Sequence, residues 1–211
     1  MNSICNILDF GTNKADLSLI TKNLGKGIII RGPVYGVLIR HPLANIIVDT
    51  GIDNPDTGIA KHADHKRNKT QTMKEQLNLQ NLNFSDIDYV IMTHLHWDHT
   101  GNIYKFKKAR VIVRKEEMDF AKKMMDKCDY FIPEEIFHPD INYVFIDDDR
   151  DFHFWEGIKL LFTPGHTTGS QSVLVDTEEG GGFVFANVHI LQANIPVENI
   201  VTMIDTIHEY R

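Results

Sequence analysis

Apolar residues in the first quarter of the chain fall in short runs rather than at helical spacing. Residues 27–30, 35–40 and 45–50 each read as strand, with Gly32-Pro33 and His41-Pro42 supplying turn signals between them. The pattern then changes. Residues 69–80 are polar and rich in helix formers, with Met73 and Leu77 one turn apart, which predicts a surface helix. Ser85 and Asp86 begin a turn ahead of an apolar strand over 89–93. A strand over 109–114 and a helix over 115–127 follow, the helix carrying Met118, Ala121, Met124 and Met125 on one stripe, a pattern of core filling. Further strands are predicted at 143–146, 158–162, 171–176 and 182–186, with Glu178 to Gly182 as a hairpin loop. A last helix starts at Pro196, has Glu198 in its first turn, and presents Ile200, Met203, Ile204 and Ile207 on one face. Strands and helices interleaved in this way argue for a layered α/β or α+β domain. At 211 residues, with no repeat or linker, a single domain spanning 1–211 is expected.

Composition narrows the function classes. The chain is 42% hydrophobic and 24% charged, which is ordinary for a globular protein. A formal net charge of -7 disfavours a phosphate backbone, so nucleic acid is not an expected partner. The short basic cluster of Lys105, Lys107, Lys108 and Arg110 reads as a solvated face. Cys5 and Cys128 are far apart and lack the spacing of a disulfide framework or thiolate metal site, which suits a reducing compartment. The first residues lack the basic start and apolar run of a signal peptide, and nowhere do 18 apolar residues run together. A cytoplasmic location with no membrane partner is the resulting expectation.

The chemistry concentrates in Thr93-His94-Leu95-His96-Trp97-Asp98-His99-Thr100-Gly101, three imidazoles and a carboxylate directly after an apolar strand. In extended chain His94, His96 and Asp98 share a face, and a turn toward Gly101 brings His99 round to them. Imidazole nitrogen with carboxylate oxygen suits zinc, iron or manganese, whereas calcium and magnesium call for mostly oxygen donors. A second signal is Thr163-Pro164-Gly165-His166-Thr167-Thr168-Gly169, a sharp turn presenting one histidine at the end of a predicted strand.

The run HLHWDH, then TPGHTTGSQS, both preceded by IIVDTG at 46–51, resembles the metallo-β-lactamase superfamily and, within it, N-acyl homoserine lactone lactonases. The likeness runs from about Tyr35 to the final helix; its metal motifs are specific for the superfamily and much less so for substrate. The resemblance implies an α+β fold, a four-layer αββα sandwich, with a zinc-type centre of one or two ions at one edge of the paired sheets. It implies that His94, His96 and His166 hold the first metal and that Asp98 and His99 belong to the second. Asp49 matches a position that supports the site from behind by orienting ligands; read from its residues alone, it serves equally as a turn-capping carboxylate.

The chain also departs from that pattern. Asn187 stands where the family has an aspartate bridging both metals, and Ile190 where a lactonase of this type places a carbonyl-polarising tyrosine. A further ligand histidine and strand are expected beyond the last helix, whereas this sequence stops at Arg211, so the sandwich is expected to lack its C-terminal strand. A second copy of the chain covering the exposed edge would make a homodimer. His189 is a candidate replacement ligand, His62 and His65 form an HxxH pair with a weaker claim, and His208 is expected to be exposed.

The expected function is therefore metal-dependent hydrolysis, opening the lactone ring of an N-acyl homoserine lactone with water activated at the metal and Asp98 handling its proton. Two alternatives stand beside it: a thioester hydrolase of the glyoxalase II kind, and a relative that binds metal or ligand without turnover. Substrate choice is expected to lie in the loop between Asp53 and Lys69 and in the segment from Phe131 to Asp140.

Overall fold

A computed structural model describes residues 3–19, 24–56, 58–148 and 150–177, together with the backbone of 182–184. Within them the chain runs β1 (Ile4–Asp16), β2 (Ile29–His41), β3 (Ala44–Val48), α1 (Gly58–His62), α2 (Met73–Leu79), β4 (Tyr89–Ile91), α3 (Trp97–Thr100) and β5 (Arg110–Arg114). There follow α4 (Lys115–Met124), α5 (Pro133–Ile136), β6 (Asn142–Ile146), β7 (Phe152–Trp155), β8 (Ile158–Phe162), β9 (Gln171–Val175) and β10 (Gly182–Val184).

Six strands form one sheet in the order β1-β2-β3-β4-β5-β6, antiparallel from β1 to β3 and parallel from β3 onward. The second sheet is antiparallel in the order β10-β9-β8-β7. Alternation of side chains divides the core in two. Ile39, Ile46, Val48, Ile91 and Ile112 of the first sheet face Ile158, Leu160, Val173 and Val175 of the second. Val90, Val111 and Val113 face the other way, onto Met73, Leu77, Met118, Ala121 and Ile136 from the helices. Each such aliphatic side chain contributes about 2 kcal/mol on removal from water. The described elements thus give a helix layer and two stacked sheets; the C-terminal helix expected from Pro196, and the strand expected over 182–186 beyond Val184, lie outside the described residues.

Several elements differ from the periodicity. The Gly32-Pro33 turn is absent: β2 runs straight through it, because at Pro33 the strand pairs only with β1 and its other edge needs no donated N–H. β1 itself, α1, α3, α5 and β7 were not expected. By contrast, α2 forms within the expected helix, starting where the Thr72 hydroxyl accepts from the Glu75 backbone N–H. Met118 packs in the core as expected. Lys105 pairs with Asp53 and Lys107 with Asp140, so half of the basic cluster is neutralised on the surface.

Candidate metal centre

The loops that leave β3, β4 and β8 converge on one site. Asp49 follows β3, Thr93 and His94 follow β4, and His166 sits on the loop after β8, so all emerge at the carboxyl ends of strands, where open sheets place ligands. Gln171 fastens the two loops together: its backbone N–H donates to the Thr93 carbonyl at 2.9 Å and its side chain to the Met92 carbonyl at 2.8 Å.

His94 and His96 alternate along extended chain as expected. Asp98 does not continue that face; it and His99 lie on the single helical turn α3, whose N-cap is His96. Gly101, next after this turn, packs so closely on the 51–53 loop that a Cβ would stand 2.4 Å from the Asp53 nitrogen. That contact folds the turn back over the strand ends. His94 and His99 then meet with ring centroids 4.1 Å apart and planes tilted by 54°, and the His99 Nε2 lies 3.7 Å from the Asp98 carboxylate.

His96 and His166 close the group around His94. Ring nitrogens of His94, His96 and His166 lie within 4.8 Å of one another, and the His166 Nε2 is 2.8 Å from the His96 Nδ1. Tetrahedral zinc with bonds of about 2.0–2.1 Å requires ligand nitrogens about 3.4 Å apart. The observed spacings bracket that value, and the donor chemistry suits a divalent transition metal, so these residues fit the ion. Burial, reinforced by the neighbouring His166 ring, pushes His96 down to about 3, which leaves its imidazole neutral and able to offer a lone pair.

Asp49 is the hinge of the arrangement. It is 1% exposed, and its carboxylate accepts from the Thr93 backbone N–H at 2.9 Å, the Thr93 hydroxyl at 2.7 Å and the His99 Nδ1 at 2.7 Å. Since the Thr93 hydroxyl spends its one proton on Asp49, its 3.0 Å contact with the His94 Nδ1 must be accepted from an Nδ1–H. One carboxylate thereby keeps a proton on the Nδ1 of both rings and turns the Nε2 of each toward the centre. Burial works against a charge on His99, but the Asp49 and Asp98 carboxylates outweigh it and hold that imidazole up to about 9. The turn-capping reading of Asp49 is incomplete: its backbone does turn, at φ 57, but its side chain is committed to the histidines.

A model of the metallo-beta-lactamase superfamily matches residues 29–196. The chain belongs to this superfamily. Membership and the histidine cluster together imply a divalent metal. Among its superfamily relatives, an N-acyl homoserine lactonase of Bacillus cereus is 29% identical over 175 residues, covering 79% of this chain and 67% of the relative. The N-acyl homoserine lactonase AttM of Agrobacterium fabrum is 31% identical over 186 residues, covering 80% and 69%. Among solved structures, an N-acyl homoserine lactone hydrolase with the product N-hexanoyl-L-homoserine at its catalytic metal center superposes with a TM-score of 0.82 at 22% identity, covering 100% of this chain and 91% of that one. The α+β sandwich expected of the superfamily is the fold of this protein.

Other histidines separate from the group. His62 is exposed at the end of α1, while His65 is buried with its Nδ1 2.7 Å from the Asn13 side-chain oxygen. Asn187, His189, Ile190 and His208 lie outside the described residues. Glu117 was not anticipated: a glutamate in a helix's first turn reads as a partner of the helix dipole, yet this one is 0% exposed behind the ligand loops. Tyr130 and Phe131, the latter in the segment expected to govern substrate choice, flank the His96 ring with centroids 5.4 and 4.9 Å away. Among the described residues, no helix is long and apolar enough to cross a membrane.

Proposed function

We propose that this protein is a metal-dependent hydrolase that opens the lactone ring of N-acyl homoserine lactones. The observation that carries the reading is the convergence of His94, His96 and His166, with Asp98 and His99 alongside. The first three hold one ion, zinc by donor type and spacing, with iron or manganese able to replace it. Asp98 and His99 serve a second. When bound, the metal supplies Lewis acidity and a nucleophilic water at neutral pH.

The protein's own groups do the rest. Asp98, 9% exposed and beside the His99 Nε2, orients the attacking water and takes its proton. Oxygen of that water bonds to the lactone carbonyl carbon, the ring C–O bond breaks, and Asp98 returns the proton to the departing alkoxide, leaving a hydroxy acid. Tyr130 and Phe131 give the acyl chain an aromatic wall beside His96. The lactonase names carried by the relatives support this substrate class.

Asn187 and Ile190, at the family's bridging-aspartate and tyrosine positions, favour a second reading in which metal is bound without turnover. Acid release from an N-acyl homoserine lactone and from an acyl-glutathione thioester, measured side by side on metal-loaded protein, separates the readings. Faster lactone opening is expected. A faster thioester reaction moves the assignment to glyoxalase II-like chemistry, and hydrolysis of neither leaves the binding reading.

A further inference from the structure

The two loops that carry the histidines come from different sheets, so their separation is not set by either sheet alone. His94 and His96 follow β4 of the first sheet; His166 follows β8 of the second. Glu117, in the first turn of α4, spans the gap. Its Oε1 accepts from the Leu95 backbone N–H at 2.9 Å, and Leu95 is the residue between the two ligand histidines. Its Oε2 accepts from the Thr167 hydroxyl at 2.5 Å, and Thr167 directly follows His166. The Gly169 backbone donates to the same carboxylate.

Geometry around this contact is tight. A Cβ on Gly169 would stand 2.2 Å from the Glu117 backbone nitrogen, so the His166 loop lies flat on the start of α4. Thr167 is further braced by Ser170, whose Oγ is 2.6 Å from the Thr167 Oγ1 and 3.1 Å from the Thr167 nitrogen that donates to it. Three donors meeting at one buried side chain call for an acceptor-only group, which a carboxylate is and an amide is not. Burying it costs several kcal/mol that packing alone would not require.

We propose that Glu117 is a positioning residue for the metal centre, fixing the distance of the His94–His96 loop from the His166 loop by accepting from both. The inference rests on the reading of His94, His96 and His166 as metal ligands. Its strength follows outer groups that orient ligands, whose loss lowers metal affinity roughly tenfold to a hundredfold.

The test uses Glu117→Gln, which keeps the shape, Glu117→Ala, and Thr167→Val, which keeps the carboxylate and removes one donor. Zinc affinity is read by competition with a chromophoric chelator, and the visible absorption of the cobalt-loaded protein reports ligand geometry. Urea unfolding in excess chelator reads the metal-free fold separately. Zinc affinity at least about tenfold weaker in folded E117Q, with an altered cobalt spectrum, and a smaller loss in T167V, is the expected result. Lower stability in chelator with wild-type zinc affinity and cobalt spectrum would show a packing role and overturn the inference alone. Wild-type protein that takes up no zinc would remove the metal-centre reading and this inference with it.

Discussion

Asp49→Asn is the sharpest perturbation of the ligand network, because it changes one atom in a buried, committed side chain. The carboxylate accepts three hydrogen bonds, from the Thr93 N–H, the Thr93 hydroxyl and the His99 ring. An asparagine offers one acceptor and one donating amide. If its oxygen keeps the Thr93 N–H, its NH2 faces the His99 Nδ1 and the Thr93 hydroxyl, so His99 accepts there and carries its proton on Nε2. The hydroxyl, freed to donate, turns to the His94 Nδ1 and drives that ring to the same tautomer. Both rings then present N–H where a lone pair is needed. Loss of an outer group of this kind weakens metal binding tenfold to a hundredfold, about 1.4 to 3 kcal/mol. Chelator competition gives the affinity, and nitrogen-15 NMR of the histidine side chains distinguishes Nδ1–H from Nε2–H in the metal-free protein. D49N with wild-type affinity and Nδ1–H at both rings would refute the tautomer argument.

Gly169→Ala forces a Cβ to within 2.2 Å of the Glu117 nitrogen, so the His166 loop must lift; a loss of about 1–3 kcal/mol in urea unfolding and weaker zinc binding are expected. Burial raises the Glu117 carboxyl from 4.5 to about 7. Below pH 4.5 it is protonated both folded and unfolded; between 4.5 and 7 only the folded form keeps the proton, so stability falls as pH rises through that window. The drop is on the order of 3 kcal/mol, at roughly 1.4 kcal/mol per pH unit, and comparison with E117Q in chelator isolates it from the opposite slope of His96. Equal slopes in the two proteins would contradict the assignment. Burial also pushes the Cys5 thiol from 9.0 to about 11, so iodoacetamide at pH 8 should label it about a hundredfold more slowly than an ordinary thiol, as read by peptide mass mapping.

Much of this architecture is legible in the residues because it obeys simple periods. β8 covers the residues its apolar run predicts, and β5 and β9 differ by a residue at one end. What escapes is either short or held by distant contacts. α3 and α5 have four residues each, too few to show a helical repeat. β1 mixes Asn6, Asp9, Thr12 and Asn13 among its apolar residues and is interrupted between Asp9 and Thr12, so its alternation breaks where the strand does not. Four of the five candidate ligands, His94, His96, Asp98 and His99, stand out by their density, whereas the roles of Asp49 and Glu117 depend on partners at sequence separations of 50 and 22 for the His99 and Leu95 contacts. No local pattern encodes those pairings.

The most direct measurement is metal content per chain by elemental analysis, followed by titration of acid released from an N-acyl homoserine lactone with the same sample, for the wild type and His166→Ala. The account predicts at least one divalent ion per wild-type chain with lactone opening, and loss of both in the variant. Lactone opening that persists in H166A, or a metal-loaded wild type that leaves lactones intact, would contradict it.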